Sequence, residues 1–539
     1  MMQMRRRQKQ SLSPILAFLF SISIIIILWA TAAAFSRGIS SRSIFTTSSL
    51  RSNRPSLLCG LSLVPPGRRR TTGFDSFNSL YKKYSTRRKL STTVMSLSSS
   101  SHTNDNFISY LNTNDAARYA IDNDSKVHLI MGNEAGDADS IISALTLSYI
   151  QHQQHLKNED TEEKIVVLPI VSVTRADISL RRDVMLLLDL AGITNLDDLL
   201  YIDDDLVTRN LLPPTATSKA TLTLVDHNRI KSSLSHLSSM VIEIVDHHED
   251  ENSHEQVDSD KRSIAFENGV AIAASTCTLI TERLNQNDTI DASVGLLLLG
   301  GILLDSVNML PEAGKGTARD EAAIQLLLQH TDWTSYCEKV KTNPPSLVDA
   351  TTMKRIFPNI EDGNCTPDRT TLFETLSNAK NDPQFWSELS VNDCLRIDYK
   401  KFMVSADQSS SSIGLSSVLL DMDSLLGKDN FIDDLTSYMT SSRVDLFGIM
   451  ALNFQDGKPN RELLLTGTDR KVVDSFADYL LNHTDAAFLE ISERKECVVD
   501  KEASNEIPHI RVFKQGNGKG SRKQIAPILL GYASTVSKL

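Results

Sequence analysis

From residue 126 onward the apolar positions follow two alternating rhythms. Unbroken runs at Lys126–Met131, Ile165–Val173, Ala220–Val225 and Met240–Val245 are short and largely apolar, and read as buried strands. Between them, spacings of three and four (Ile141, Ile142, Leu145, Tyr149, then Leu180–Leu190) read as helices, as do Ala292–Leu304 and Ala318–Gln329. Strands alternating with helices predict an α/β fold with a parallel sheet covered on both faces. Such sheets hold their ligands beyond the carboxyl ends of the strands.

The first α/β domain is expected over 105–332. Residues 333–390 break the rhythm with Pro344-Pro345, Pro358 and Pro367, and read as a connecting region with some helix. A smaller mixed α/β unit is expected over 391–539, with strand-like runs at Leu446–Leu452, Glu462–Thr466 and Ile510–Phe513. The start of the chain reads as an address. Arg5, Arg6, Arg7 and Lys9 precede an apolar run from Leu16 to Phe35 that closes on Ala32, Ala33 and Ala34. This is the layout of a signal peptide over 1–35 or, if retained, of a signal anchor; membrane attachment is expected only in the second case. Residues 36–104, rich in Ser, Thr and Arg, read as a transit-like disordered segment. The join at Ala33-Ala34-Phe35-Ser36 resembles the bipartite presequence of algae with secondary plastids. A plastid location is therefore expected, with the secretory or vacuolar route as the alternative.

Charge sharpens the division. The net charge is −11, yet the first 98 residues carry sixteen Lys and Arg against a single acid, Asp75, leaving the remainder near −26. A body so acidic is a poor general binder of nucleic acid. An anionic substrate would need a local group of cations or metal ions. The six cysteines are scattered without a C-x-x-C pair, which excludes a zinc ribbon and favours reduced thiols over a disulfide framework.

Candidate chemistry sits where apolar runs end. Gly132-Asn133-Glu134-Ala135-Gly136-Asp137-Ala138-Asp139-Ser140 follows the first strand, Asp226-His227-Asn228 the third, Asp246-His247-His248 the fourth, and Asp305-Ser306 an apolar helix. One such Asp is ordinarily a turn or cap residue. Four sets at one sheet edge can converge, and converging carboxylates repel unless a cation joins them. A mixed Asp and His set suits Mn²⁺ or Mg²⁺. Two such ions sharing a carboxylate would clamp a phosphoryl group and acidify a water.

The order N-x-x-x-D-x-D-S, V-D-H-N, V-D-H-H, L-L-D-S resembles the DHH phosphoesterases. Gly520-Ser521-Arg522-Lys523-Gln524-Ile525 and Leu395-Arg396-Ile397-Asp398-Tyr399-Lys400 resemble the second, DHHA2 domain of the branch holding manganese pyrophosphatases, exopolyphosphatases and prune-like proteins. The resemblance implies one ion on Asp137 and Asp226, with Asn133 nearby as a weak ligand. It implies a second on Asp139, Asp226, His247 and Asp305, with Asp226 shared. His248 would face the phosphate or the bridging water, Asp246 would orient His247 or a neighbour, and Arg522 and Lys523, with Arg396 and Lys400, would bind substrate oxygens. The implied activity is removal of terminal phosphate from inorganic polyphosphate or another short phosphoanhydride, with manganese-dependent pyrophosphatase or a catalytically weak prune-like scaffold as alternatives. Relatives with pyrophosphatase activity begin with G-H where this chain has Gly132-Asn133, and Ile397 stands where relatives often carry a basic residue. Read residue by residue, His227 is expected to be structural, Cys277 a buried small residue in a segment packed near the site, and Thr317 with Asp320 a capping box.

Overall fold

The computed structural model describes residues 106–157, 165–213, 220–285, 288–406, 409–455, 458–494, 509–518 and 520–536. The signal, anchor and transit expectations fall outside the described residues. Among those described, no helix is long and apolar enough to cross a membrane.

Five parallel strands form the first sheet: β1 (Lys126–Met131), β2 (Ile165–Ile170), β3 (Ala220–Val225), β4 (Val241–Asp246) and β5 (Arg262–Ile264), in the order β2-β1-β3-β4-β5. Leu129, Ile130, Leu222, Leu224 and Ile244 are fully buried, as expected of strands covered on both faces. The register aligns Met131 with Leu224 and Val225 with Val245, so β1, β3 and β4 end side by side. The three polar segments that follow them emerge together at the middle of one sheet edge. A short hairpin, β6 (Phe266–Glu267) and β7 (Val270–Ala271), follows β5.

The helix Ala138–Lys157 packs on β1 and β2, and the helix Ala292–Asp305 packs on it in turn. Leu296 to Leu299 are wholly buried, so this second helix is apolar all round rather than amphipathic. Each such leucine contributes about 1.5–3 kcal/mol. At Gly301 a Cβ would lie 2.6 Å from Cys277 Sγ, so this helix and the segment around Cys277 meet at a distance only glycine permits. The helix ends on Asp305, where a carboxylate opposes the negative end of the helix dipole. Residues Val307, Asn308 and Met309 then turn with positive φ, a conformation that costs free energy for a β-branched residue.

Residues 333–388 hold the helices Trp333–Thr342, Ala350–Ile356, Arg369–Lys380 and Pro383–Glu388. Here one expectation is corrected. Cys337 and Cys365 form a disulfide, with Cα atoms 5.4 Å apart. The two cysteines stand 28 residues apart and meet only because the first two of these helices fold the chain back, a contact no local spacing announces. Cys277 and Cys394 are free and buried.

The last region carries a mixed sheet in the order β12-β13-β11-β10-β9-β8, with β8 Tyr399–Ala406, β9 Ser409–Val418, β10 Leu446–Gln455, β11 Lys458–Gly467, β12 Ile491–Glu493 and β13 His509–Gln515. β9 and β10 are parallel, while β8 and β9, β11 and β13, and β12 and β13 are antiparallel. The fold is thus α/β, a five-stranded parallel sheet followed by a six-stranded mixed one.

Candidate metal centre

Asp226 is the hub. It takes a positive φ of 60° directly after β3, and its amide donates to Val245 O at 3.0 Å. Its Oδ2 accepts from Asn133 Nδ2 at 2.6 Å. Its Oδ1 is buried without a hydrogen-bond partner, 3.4 Å from His247 Nε2 and 3.6 Å from His248 Nδ1. One ligand atom from each of Asp226, His247 and His248 lies within 4.8 Å of the others. Burial, together with the charges of Asp139, Asp137 and Asp246, raises the Asp226 carboxyl well above the usual range. Asp305 is raised likewise by burial and by Asp139 and Asp137. A buried carboxylate oxygen with no donor, ringed by acids and imidazoles, fits a cation and little else.

The surrounding side chains are held by backbone. Asp139, in the first turn of the helix Ala138–Lys157, accepts from Ser275 Oγ at 2.6 Å, Thr276 N at 2.7 Å and Cys277 N at 2.9 Å, and its Oδ2 stands 3.7 Å from His247 Nε2. That 274–278 turn is itself pinned by Asp320, which accepts from Thr278 Oγ1 at 2.6 Å and Ala274 N at 3.0 Å. The Thr317–Asp320 capping box is present, so Asp320 caps its helix and braces the site. Asp137 accepts from Ser140 N at 3.1 Å. His247 Nδ1 lies 3.2 Å from Ala273 O, which leaves Nε2 facing Asp226 and Asp139. Asp246 Oδ1 accepts from His248 Nδ1 at 2.8 Å and from the amides of His247 and His248, while Oδ2 accepts from Asn228 Nδ2 at 2.6 Å. Burial would raise the Asp246 carboxyl, but the His248 bond and charge outweigh it and hold it below the usual range. Between the two alternatives Asp246 orients His248, not the His247 ring.

Asn133 departs from expectation. Its Oδ1 accepts from the amides of Ala135 at 2.8 Å and Gly136 at 3.3 Å, which fixes the side-chain amide with oxygen inward and Nδ2 toward Asp226. It is a donor to the hub carboxylate and has no oxygen left for a metal. Arg396 also departs. Its guanidinium is held by Asp177 at 2.9 Å and Asp393 at 2.5 Å, where it ties the two regions together. Arg522 Nη1 meets Asp398 Oδ1 at 2.7 Å and Asp398 O at 3.1 Å. The Lys523 side chain lies outside the described residues. The Lys400 charge lowers the Asp226 carboxyl and also bears on His227 and His248, and Lys400 lines a cavity together with Asn133 and His227. His227 Nδ1 donates to Val225 O at 2.9 Å, and burial lowers its pKa to about 4, keeping it neutral.

Two residues carried no signal in the sequence. Arg181, 5% exposed, donates to Gly136 O at 3.0 Å, Ala135 O at 2.7 Å, Asp177 O at 3.0 Å and Ile397 O at 3.1 Å. It clamps the Asn133–Asp137 loop to the segment that leads into β8. Gly136 sits at φ +54° in that loop, and a Cβ there would meet Val173 Cγ1 at 2.2 Å. Lys380, at the end of its helix, pairs with buried Asp183 at 3.4 Å, and the charge of Asp183 first, then those of Asp137, Asp305 and Asp398, raise its pKa.

Comparison with known proteins follows the same division. The DHH family N-terminal domain matches residues 128–302 and the DHHA2 domain residues 374–532. Exopolyphosphatase PRUNE1 of Homo sapiens is 26% identical over 417 residues, covering 76% of this chain and 77% of that protein; the Mus musculus protein of the same name is 26% identical over 416 residues, covering 76% of each. Among solved structures, a candidate family II inorganic pyrophosphatase of Methanococcus jannaschii is 17% identical, covers 76% of this chain and 99% of its own, and superposes with a TM-score of 0.42.

Proposed function

Because this chain belongs to the DHH family and carries a DHHA2 domain, we propose that it is a metal-dependent hydrolase that releases terminal phosphate from inorganic polyphosphate. The observation that carries the reading is Asp226 Oδ1, buried, without a donor, and facing His247 Nε2 at 3.4 Å amid further acids. Exopolyphosphatase relatives at 26% identity support the substrate class.

Two divalent cations, Mn²⁺ or Mg²⁺, would be held by Asp137 with Asp226 and by Asp139, Asp226, His247 and Asp305. Bound there, they supply Lewis acidity to a phosphoryl oxygen and acidify a water near neutral pH. The chain's own groups do the rest. Asn133 holds Asp226 in place through its 2.6 Å bond. Asp246 accepts a hydrogen bond from the Nδ1–H of His248 and so keeps the ring proton on that nitrogen, which leaves Nε2 as an acceptor for a water proton or as a partner of the phosphate. Arg522, positioned by Asp398, with Lys523 and Lys400, neutralises phosphate oxygens as charge develops. The acidic body repels polyanions elsewhere, so these cations set where the substrate enters.

The N-terminal 104 residues are read as the address of a plastid or secretory protein. The Cys337–Cys365 disulfide supports folding in an oxidising lumen.

Initial rates of phosphate release from pyrophosphate, tripolyphosphate and long chains, each with Mn²⁺ and with Mg²⁺, test the proposal. Faster turnover of tripolyphosphate and longer chains than of pyrophosphate is expected. Fastest turnover of pyrophosphate would make the protein a pyrophosphatase, and no release from any chain would leave a scaffold.

A further inference from the structure

A cavity of about 580 Å³ opens beside the metal centre. Asn133, His227 and Lys400 line it, and Asn133 bonds the hub carboxylate directly. Arg229 and Lys231, in the stretch after β3, also line it. Four of its lining residues are cations, and only Glu134 and Glu251 oppose them, in a protein of net charge −11. Two of the four are committed. Lys401 Nζ donates to Ser442 O at 2.7 Å and Arg443 O at 2.8 Å, and one nitrogen of Arg229 pairs with Glu251 at 3.1 Å. That second pair is more than half exposed on both sides and holds Arg229 weakly. Lys400 and Lys231 have no charged partner among the described residues. The remaining walls include Ile230, Leu234 and Phe402, low-dielectric surface that concentrates the field of the lysines.

We propose that this cavity is a tail site for the phosphate chain, with Lys231 and Arg229 binding units beyond the one that reacts. The inference rests on the hydrolase reading and deepens it. With its terminal unit at Asp226, an extended polyanion would run through this cavity along Lys400, Lys231 and Arg229. Only a chain with units beyond the reacting pair would use Lys231 and Arg229, so the proposed site favours chains over pyrophosphate by binding their tails. Long chains gain affinity from each further cation they reach, and release of a terminal unit leaves the shortened chain still held for another round.

The test is the double variant Lys231→Met/Arg229→Met in the full chain. The ratio of KM for long-chain polyphosphate to KM for tripolyphosphate should rise roughly tenfold, the loss of about 1.4 kcal/mol of tail binding. A ratio equal to that of the wild type would overturn the tail site even where hydrolysis proceeds. Binding of long-chain polyphosphate to EDTA-treated protein separates the two readings. Weaker binding by the variant keeps the tail site even should the wild type release no phosphate, an outcome that would remove the hydrolase reading alone. Equal binding by both proteins overturns the tail site.

Discussion

Replacing Arg181 tests how the metal loop is held. Its guanidinium is almost fully buried and donates to four backbone carbonyls, two of them, Ala135 and Gly136, in the loop that carries Asn133 and Asp137. Another is Ile397 O, in the segment that leads to Lys400. Hydrogen bonds from a charged donor contribute about 1.5–3 kcal/mol each, and a buried carbonyl left without a donor costs about 1–3 kcal/mol. Arg181→Met strips all four, and even with water entering, a loss of roughly 4 kcal/mol is expected, a large part of a typical 5–15 kcal/mol stability. Arg181→Lys keeps the charge but not the fork, so it reaches fewer of the carbonyls and should lose about half as much. Urea unfolding of EDTA-treated protein gives the stability, and metal titration of the same samples gives the second readout. Metal affinity should fall in the order wild type, Lys, Met, since a released loop no longer presents Asp137. A Met variant within about 1 kcal/mol of wild type, with unchanged metal affinity, would refute the clamp.

Other consequences are as specific. Asn133→Ala removes the donor to Asp226 and should lower metal affinity roughly 10–100-fold, read from the metal-activation curve; an unshifted curve would return Asn133 to a bystander. His128, between Thr221 Oγ1 and Thr223 Oγ1, has its pKa lowered to about 4, chiefly by burial. The unfolded chain therefore takes up this proton first, and the stability contribution is complete above pH 6.5 and lost as pH falls toward 4. Between pH 7.5 and 4.5 the wild type should lose about 2–3 kcal/mol more than His128→Gln in chemical unfolding, and parallel pH profiles would contradict this. The Cys337–Cys365 crosslink closes a loop of 28 residues and should be worth about 3.5 kcal/mol. The double variant Cys337→Ala/Cys365→Ala should show that loss in non-reducing buffer, and a loss below about 1 kcal/mol would deny the crosslink.

Much of the site was legible because a parallel sheet turns sequence order into spatial order. Residues just past an apolar run lie at one edge, so Asp226, Asp246, His247 and His248 could be placed before any coordinate was known. Asp305 was legible for a related reason, as the one carboxylate closing a helix apolar on every side. What escaped depends on distant partners or on which atom faces which. The family resemblance reads Asn133 as a weak ligand, but the Ala135 and Gly136 amides decide its orientation. The hydrogen bonds that hold Asp139 come from residues 275–277, more than 130 positions away, and those of Arg181 span up to 216. Arg396 shows the limit of motif reading. Its type suits phosphate, yet Asp177 from the first region captures it. The disulfide escaped because scattered cysteines carry no spacing signal.

The central claim is a cation site built around Asp226, and calorimetric titration of Mn²⁺ into EDTA-stripped protein measures it directly. The account predicts two ions per chain for the wild type and loss of the high-affinity binding in Asp226→Asn, with the metal-free variant at least as stable as the wild type because a repelled carboxylate has been removed. Equal Mn²⁺ binding by the two proteins, or none by either, would contradict it.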